Sequence, residues 1–165
     1  MIGKIATSWA GLRAEGSATV YPERVAAFFD QRTAGRPILP VGNRRSYSDV
    51  SLCSHGTSIS LGRLDRRVGA DWTTGVVRVE AGMTLQDLST WSLTNGWFPA
   101  VVPGTGLVTV GGACAGDIHG KNHVLQGTFG SHVRSLVLHR TDKDRPVMLT
   151  PDDQLFGPTI GGLGL

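Results

Sequence analysis

The chain has 165 residues, a common size for one domain and enough to bury one sizeable core. Hydrophobic residues make up 40% and charged residues 18%, which excludes intrinsic disorder. The net charge is +3, and Lys and Arg are scattered, with pairs at Arg44-Arg45 and Arg66-Arg67 but no long basic run. An extended nucleic-acid footprint is therefore poorly supported, while a small anionic ligand fits the balance.

Glycine is the outlier at 23 residues, about twice ordinary usage, and 8 prolines accompany it. Many tight turns and close backbone approaches follow from that. Cys53 and Cys114 are too few for a disulfide framework and read as two reduced, buried thiols. The stretch from Ile5 to Leu12 is too short and too broken to be a signal peptide, so the default compartment is the cytoplasm. The uncharged stretch from Leu88 to Gly116 is interrupted by Pro99, Pro103 and several glycines, so it is no membrane helix.

In chain order, the first expected element is a helix over Pro22–Arg32. Pro22 suits a first helical position, Val25, Phe28 and Phe29 share a face, and Gly35 is a stop. Pro37–Val41 is a short buried strand that opens into the polar loop Gly42–Asp49. Thr57–Leu61 alternates as a strand, and Val76–Glu80 is another, reached through turn-like Gly69–Gly75. Thr84 and Asp87 resemble a capping box that opens a helix. Leu85, Leu88 and Leu93 give that helix an apolar face, and Asn95-Gly96 ends it. Trp97–Ala115 is apolar and punctuated by Pro and Gly. Val133–His139 and Pro146–Leu149 form a hairpin with Asp142–Asp144 at its turn. The class is α+β, without the regular alternation of a doubly wound sheet. The apolar, glycine-rich end Ile160–Leu165 suggests a chain that stops mid-fold.

Three segments carry potential chemistry. Val41–Tyr47 and Pro103–Gly106, continued by Thr109–Gly112, are glycine-rich loops whose backbone N–H groups suit a phosphate or pyrophosphate, or else are ordinary turns. Neither fits the dinucleotide or P-loop fingerprints. The third, Asp117–His123, concentrates polar groups at the end of an apolar run. A metal-dependent hydrolase on Asp117, His119 and His123 is an alternative, although Gly120 weakens a helical His pair. No nucleophile elbow occurs, and His132 and His139 read as structural.

The ordered set of these motifs resembles a known family. Pro40–Asp49, Val79–Gly82, Pro103–Thr105, Thr109–Gly112, Asp117–His123, Gly127–Gly130, Leu155-Phe156 and Gly161-Gly162 are similar to the FAD-linked oxidases of the vanillyl-alcohol oxidase type. Within them the set is most similar to the branch that epimerises polyprenyl-phosphate-linked sugars, precursors of cell-wall arabinan. The likeness runs from residue 37 to residue 165. It implies a PCMH-type FAD-binding domain of two α+β subdomains, spanning 1–165 as the N-terminal half of a larger flavoenzyme whose substrate domain is absent.

The resemblance implies that Val41, Gly42, Asn43, Arg44, Arg45, Ser46 and Tyr47 line FAD. Gly104, Thr105, Thr109, Val110, Gly111, Gly112, Gly116, Asp117, Ile118 and His119 complete that lining. Tyr47, His119 and Lys121 match catalytic positions near the flavin and the substrate mouth. The implied reaction is oxidation of a CH–OH group of a sugar or lipid-linked sugar by hydride transfer to flavin N5. A short-chain reductase partner and peripheral membrane association go with it. An oxygen-using aldonolactone or alditol oxidase, and a non-catalytic nucleotide-binding module, are the alternatives.

Arg45 stands where many relatives attach FAD through histidine, which implies non-covalent FAD. Arg44 replaces a glycine, so the loop is expected to bend differently and to gain a phosphate contact, since a non-Gly residue avoids positive φ. Cys114 and Gly116 also depart from the branch pattern.

Overall fold

The computed structural model describes residues 6–30 and 35–164. Three strands, β1 (Ala18–Val20), β2 (Ile38–Val41) and β3 (Thr57–Ser60), form a parallel sheet in the order β1-β3-β2. The register sets Ala18 and Ile38 against Thr57, and Val41 against Ser60. β3 lies between its partners and all four of its residues are buried. The alternation expected there does not become an inside and an outside, because a central strand with both faces covered has no solvent face.

The expected helix over Pro22–Arg32 shrinks to α1 (Ala26–Asp30). Ala27 and Phe28 N–H groups donate to the carbonyls of Arg24 and Val25, so a tight turn occupies the start expected at Pro22. Arg32 lies outside the described residues. Phe28 is buried. Gly35 takes the left-handed conformation at φ 63°, but α1 already ends at Asp30, and 31–34 lie outside the described residues.

An antiparallel hairpin follows, β4 (Arg67–Asp71) on β5 (Val76–Val79). The turn-like reading of Gly69–Gly75 is corrected by this: Gly69 and Ala70 are paired strand residues, and only 72–75 form the turn. A bulge between Arg67 and Gly69 leaves Val68 as the extra residue of β4. Arg66 grips the Glu80 carboxylate at 2.6 Å and holds it below the usual carboxylate range, which ties the hairpin at its open end.

α2 (Leu85–Leu93) is capped as its sequence demands. The Thr84 hydroxyl accepts from the Asp87 N–H at 3.0 Å and donates to the Asp87 carboxylate. Leu85 and Leu88 enter the core, but Leu93 is exposed and Ser92 is buried instead. The helix turns its inner stripe one position short of the expected leucine. α3 (Val110–Ala115) crosses next, inside what reads in sequence as glycine punctuation. Met83, Leu85, Leu88 and Ala113 form the core cluster, with Val77, Val79, Trp91, Ile118 and Phe129 packed around it. Fully burying a side chain such as Leu85 stabilises the fold by about 2 kcal/mol.

The short helix α4 (His123–Gln126) and a 3-10 turn at Phe129–His132 precede the second hairpin, β6 (Leu136–Leu138) on β7 (Val147–Leu149). That hairpin has the expected pairing, though β6 is shorter than Val133–His139. α5 (Phe156–Thr159) leads into the glycine-rich end, where Gly161 and Leu163 N–H groups donate to the carbonyls of Cys114 and Ala115. The apolar tail thus supplies a donor to the Ala115 carbonyl and a further one to the Cys114 carbonyl at the end of α3. The mixed α+β class read from the sequence holds. Both cysteines are free, but they are half-buried rather than buried.

Candidate functional site

The site grows from the carboxyl end of the parallel sheet, the edge where open α/β sheets commonly hold ligands. β2 ends at buried Val41, and the chain enters the loop Gly42–Asp49 there. Two contacts fasten that loop to the second glycine segment. A β-carbon at Gly42 would overlap the Thr109 side chain, so only glycine fits. The Asn43 amide donates to the Leu107 carbonyl at 3.0 Å.

Arg44 corrects the expectation drawn for it. It occupies the left-handed region at φ 48° although it is not glycine. Its guanidinium donates to the Thr19 hydroxyl of β1 at 3.4 Å, and burial pulls its pKa down from the usual value. The loop keeps a glycine-like bend because Gly42 and Asn43 pin it on one side and Thr19 on the other. The backbone N–H groups of Arg44, Arg45, Ser46 and Tyr47 meet no acceptor among the described residues. Successive free N–H groups around a left-handed residue make an anion-binding concavity.

A polar cavity of about 340 Å³ opens beside this bend, lined by Thr7, Ser8, Trp9, Gly42, Asn43, Arg44, Arg45 and Ser60. The Nε atoms of Arg44 and Arg45 are buried without a hydrogen-bond partner among the described residues. Buried donors of this kind ordinarily have an acceptor. Thr7–Trp9 carry no sequence motif: Trp9 stands between Ser8 and Ala10, with no glycine nest or charged residue beside it.

The second glycine segment behaves differently from the nest expected of it. Val110 N–H donates to Met83, Gly111 to Ala81, and Gly112 to the Thr109 hydroxyl that caps α3. These donors are spent on the fold, so Thr109–Gly112 offers close approach rather than free N–H groups. Thr105 closes its own turn by accepting from Leu107 N–H, and Gly104 stands in open space.

Gly116 ends α3, and Asp117 follows in the left-handed region at φ 39°. The Asp117 carboxylate accepts from Gly130 N–H at 2.9 Å, which locks the Gly127–Gly130 motif beneath the polar segment. Ile118 packs on the core, and His119 pairs with Thr128 in a β-bridge. His119 and His123 rings meet edge to face at 5.2 Å. His119 and Lys121 are exposed, and so is Tyr47, at 80%. With Asp117 committed to Gly130, the hydrolase alternative has no metal-holding group of three ligands among the described residues. His132 donates to the Gln126 carbonyl at 2.8 Å.

The burial of Cys114 and the nearby Asp117 push its thiol up to about 11, so it stays protonated at neutral pH. No helix among the described residues is long and apolar enough to cross a membrane.

A loop whose N–H groups meet no acceptor among the described residues, backed by two buried and unpartnered guanidinium Nε atoms, has the donor chemistry that suits a phosphate-bearing cofactor. Residues 22–142 match the family described as FAD binding domain, and the chain belongs to that family. The domain binds FAD. The chain is 43% identical over 134 residues to decaprenylphosphoryl-beta-D-ribose oxidase of Mycolicibacterium smegmatis, a match covering 79% of this chain and 29% of that protein. It is 40% identical over 90 residues to an uncharacterized protein in the mprA 5' region of Streptomyces coelicolor, covering 50% of this chain and 22% of that one. The chain therefore spans less than a third of these relatives. The residues present fit the cofactor: Gly42 lets the loop close on Thr109, and the N–H groups of 44–47 and the buried Nε atoms of Arg44 and Arg45 have no acceptor among the described residues.

Proposed function

We propose that this chain is the FAD-binding part of an oxidoreductase that oxidises a CH–OH group of a sugar, the sugar being carried on a polyprenyl phosphate. The observation that carries the reading is the closure of Gly42 onto Thr109 and of Asn43 onto Leu107 beside a cavity lined by Arg44 and Arg45. The identity to a decaprenylphosphoryl-ribose oxidase supports the substrate class. FAD, when bound, supplies the hydride acceptor, and the redox chemistry is its own.

The chain's residues bind, orient and handle protons. Val41–Tyr47, Gly104, Thr105, Thr109–Gly112 and Gly116–His119 line the cofactor. Arg45 stands where a covalent histidine would be, so FAD is held without a covalent bond. Lys121 places an ammonium near the substrate oxygen and stabilises its negative charge as the hydroxyl proton leaves. His119 holds the hydroxyl in line and takes that proton. Tyr47 marks the mouth of the site. A reductase must follow if the oxidised sugar is to be returned as its epimer.

The test begins with the absorbance spectrum of the intact protein before and after acid precipitation. Flavin that moves wholly into the supernatant supports non-covalent FAD; flavin in the pellet overturns it. Anaerobic mixing with a polyprenyl-phosphate-linked pentose should then bleach the flavin band. A band unchanged by that sugar but bleached by a free alditol would replace the substrate class.

A further inference from the structure

The segment Ala6–Ala14 lies outside the family match, yet it forms one wall of the cofactor-side cavity. It is a closed, firmly held strap. Thr7 bridges Arg13, Ala14 N–H donates to Ala6, and Ser8 N–H donates to Leu12. Its own Ala6, Ser8 and Ala14 are buried. Its far end is tied down where His55 N–H donates to the Glu15 carbonyl at 2.7 Å. The strap presents one large side chain to the loop: the Arg45 guanidinium carbon lies 4.7 Å from the centre of the Trp9 ring.

This stack explains an otherwise expensive arrangement. Arg45 Nε is buried with no hydrogen-bond partner among the described residues. A guanidinium held without an acceptor needs another source of order, and an indole face supplies one. We infer that Trp9 is a positioning residue for FAD, holding Arg45 in the cofactor loop through this cation–π stack. The inference rests on the FAD-binding role of the chain. Trp9 acts on the cofactor through Arg45 and needs no contact of its own.

The intact protein is stripped of FAD and titrated back, with binding followed by flavin fluorescence. Wild type reports first on the role itself: a folded wild type that takes up no FAD removes the premise and the inference with it. Given binding, Trp9→Ala should weaken FAD by about fivefold, the range of a partly exposed cation–π contact, while Trp9→Phe should retain most of the affinity. Arg45→Met should weaken FAD, and Trp9→Ala added to Arg45→Met should cost little more. Equal affinity in wild type and Trp9→Ala overturns the inference. So do fully additive losses, because they mean that Trp9 acts independently of Arg45. If Trp9→Ala lowers the melting temperature of the FAD-free protein and Trp9→Phe fails to restore affinity, Trp9 is only a packing residue and the inference is likewise overturned.

Discussion

The Thr109 side chain fills the space in which a β-carbon on Gly42 would stand. The same hydroxyl accepts from Gly112 N–H and caps α3 at 3.2 Å, and Thr109 is 2% exposed. One buried side chain thus serves the Gly42–Asp49 loop and the helix behind it. Gly42→Ala should force Thr109 off its cap or push the loop outward. Overpacking of this kind costs about 1–3 kcal/mol, so the melting temperature should fall and FAD affinity with it. Thermal melts and FAD titration of the variant check this; an unchanged melt and affinity would show that the loop yields freely.

Thr84 and Thr109 cap successive helices and face each other in an antiparallel bridge. Each has a capping bond that valine would delete at nearly constant volume. Thr84→Val and Thr109→Val should each cost about 1 kcal/mol by chemical denaturation. The loss at Thr109 should be the larger, because its hydroxyl is buried and the neighbouring Gly112 N–H would be left with no acceptor. Only the Thr109 variant should also weaken FAD.

The cap at Thr84 was legible because capping is local chemistry: an acceptor, and a carboxylate three residues on. The cap at Thr109 carries part of the same signal, but Val110-Gly-Gly reads as a turn and α3 was hidden behind it. Arg44 shows the opposite failure. The rule that side chains avoid positive φ argued for a changed loop, and tertiary contacts to Thr19, Thr109 and Leu107 override that local preference. β1 was too short to see, and Gly69 disguised β4. The glycine segments pointed to the cofactor as a set, but the spending of the α3 donors on Met83 and Ala81 depends on chain crossings that no window of sequence contains.

Burial, with Asp117 nearby, raises the Cys114 thiol to about 11 from 9.0. The thiol is an acid that the fold keeps protonated, so the unfolded chain ionises first as pH rises. Stability linked to this group is intact below pH 9 and falls between 9 and about 11. Cys114→Ala should lose less stability than wild type over that interval, measured as the difference in denaturation midpoints. Iodoacetamide at pH 8 should label Cys114 slowly in the folded protein and far faster in denaturant. Rapid labelling of the folded protein would mean the thiol is neither shielded nor raised.

Lys121 is exposed and makes no ion pair among the described residues, so its charge is open to a substrate. It lies in a segment that the fold holds in place on both sides. Asn122 donates to the Ala100 carbonyl at 2.9 Å, and Asp117 anchors to Gly130. Lys121→Ala should therefore leave the melting temperature within the small range of surface substitutions, about 0.5 kcal/mol in stability. If its ammonium stabilises the forming alkoxide, flavin reduction by the sugar should slow about tenfold or more in stopped-flow, with FAD affinity unchanged. Lys121→Arg, which keeps the charge on a different geometry, should recover part of the rate. A Lys121→Ala enzyme that reduces at the wild-type rate removes the residue from the chemistry. One that loses FAD instead moves it into the cofactor's grip, and His119→Gln then becomes the variant that decides where the hydroxyl proton goes.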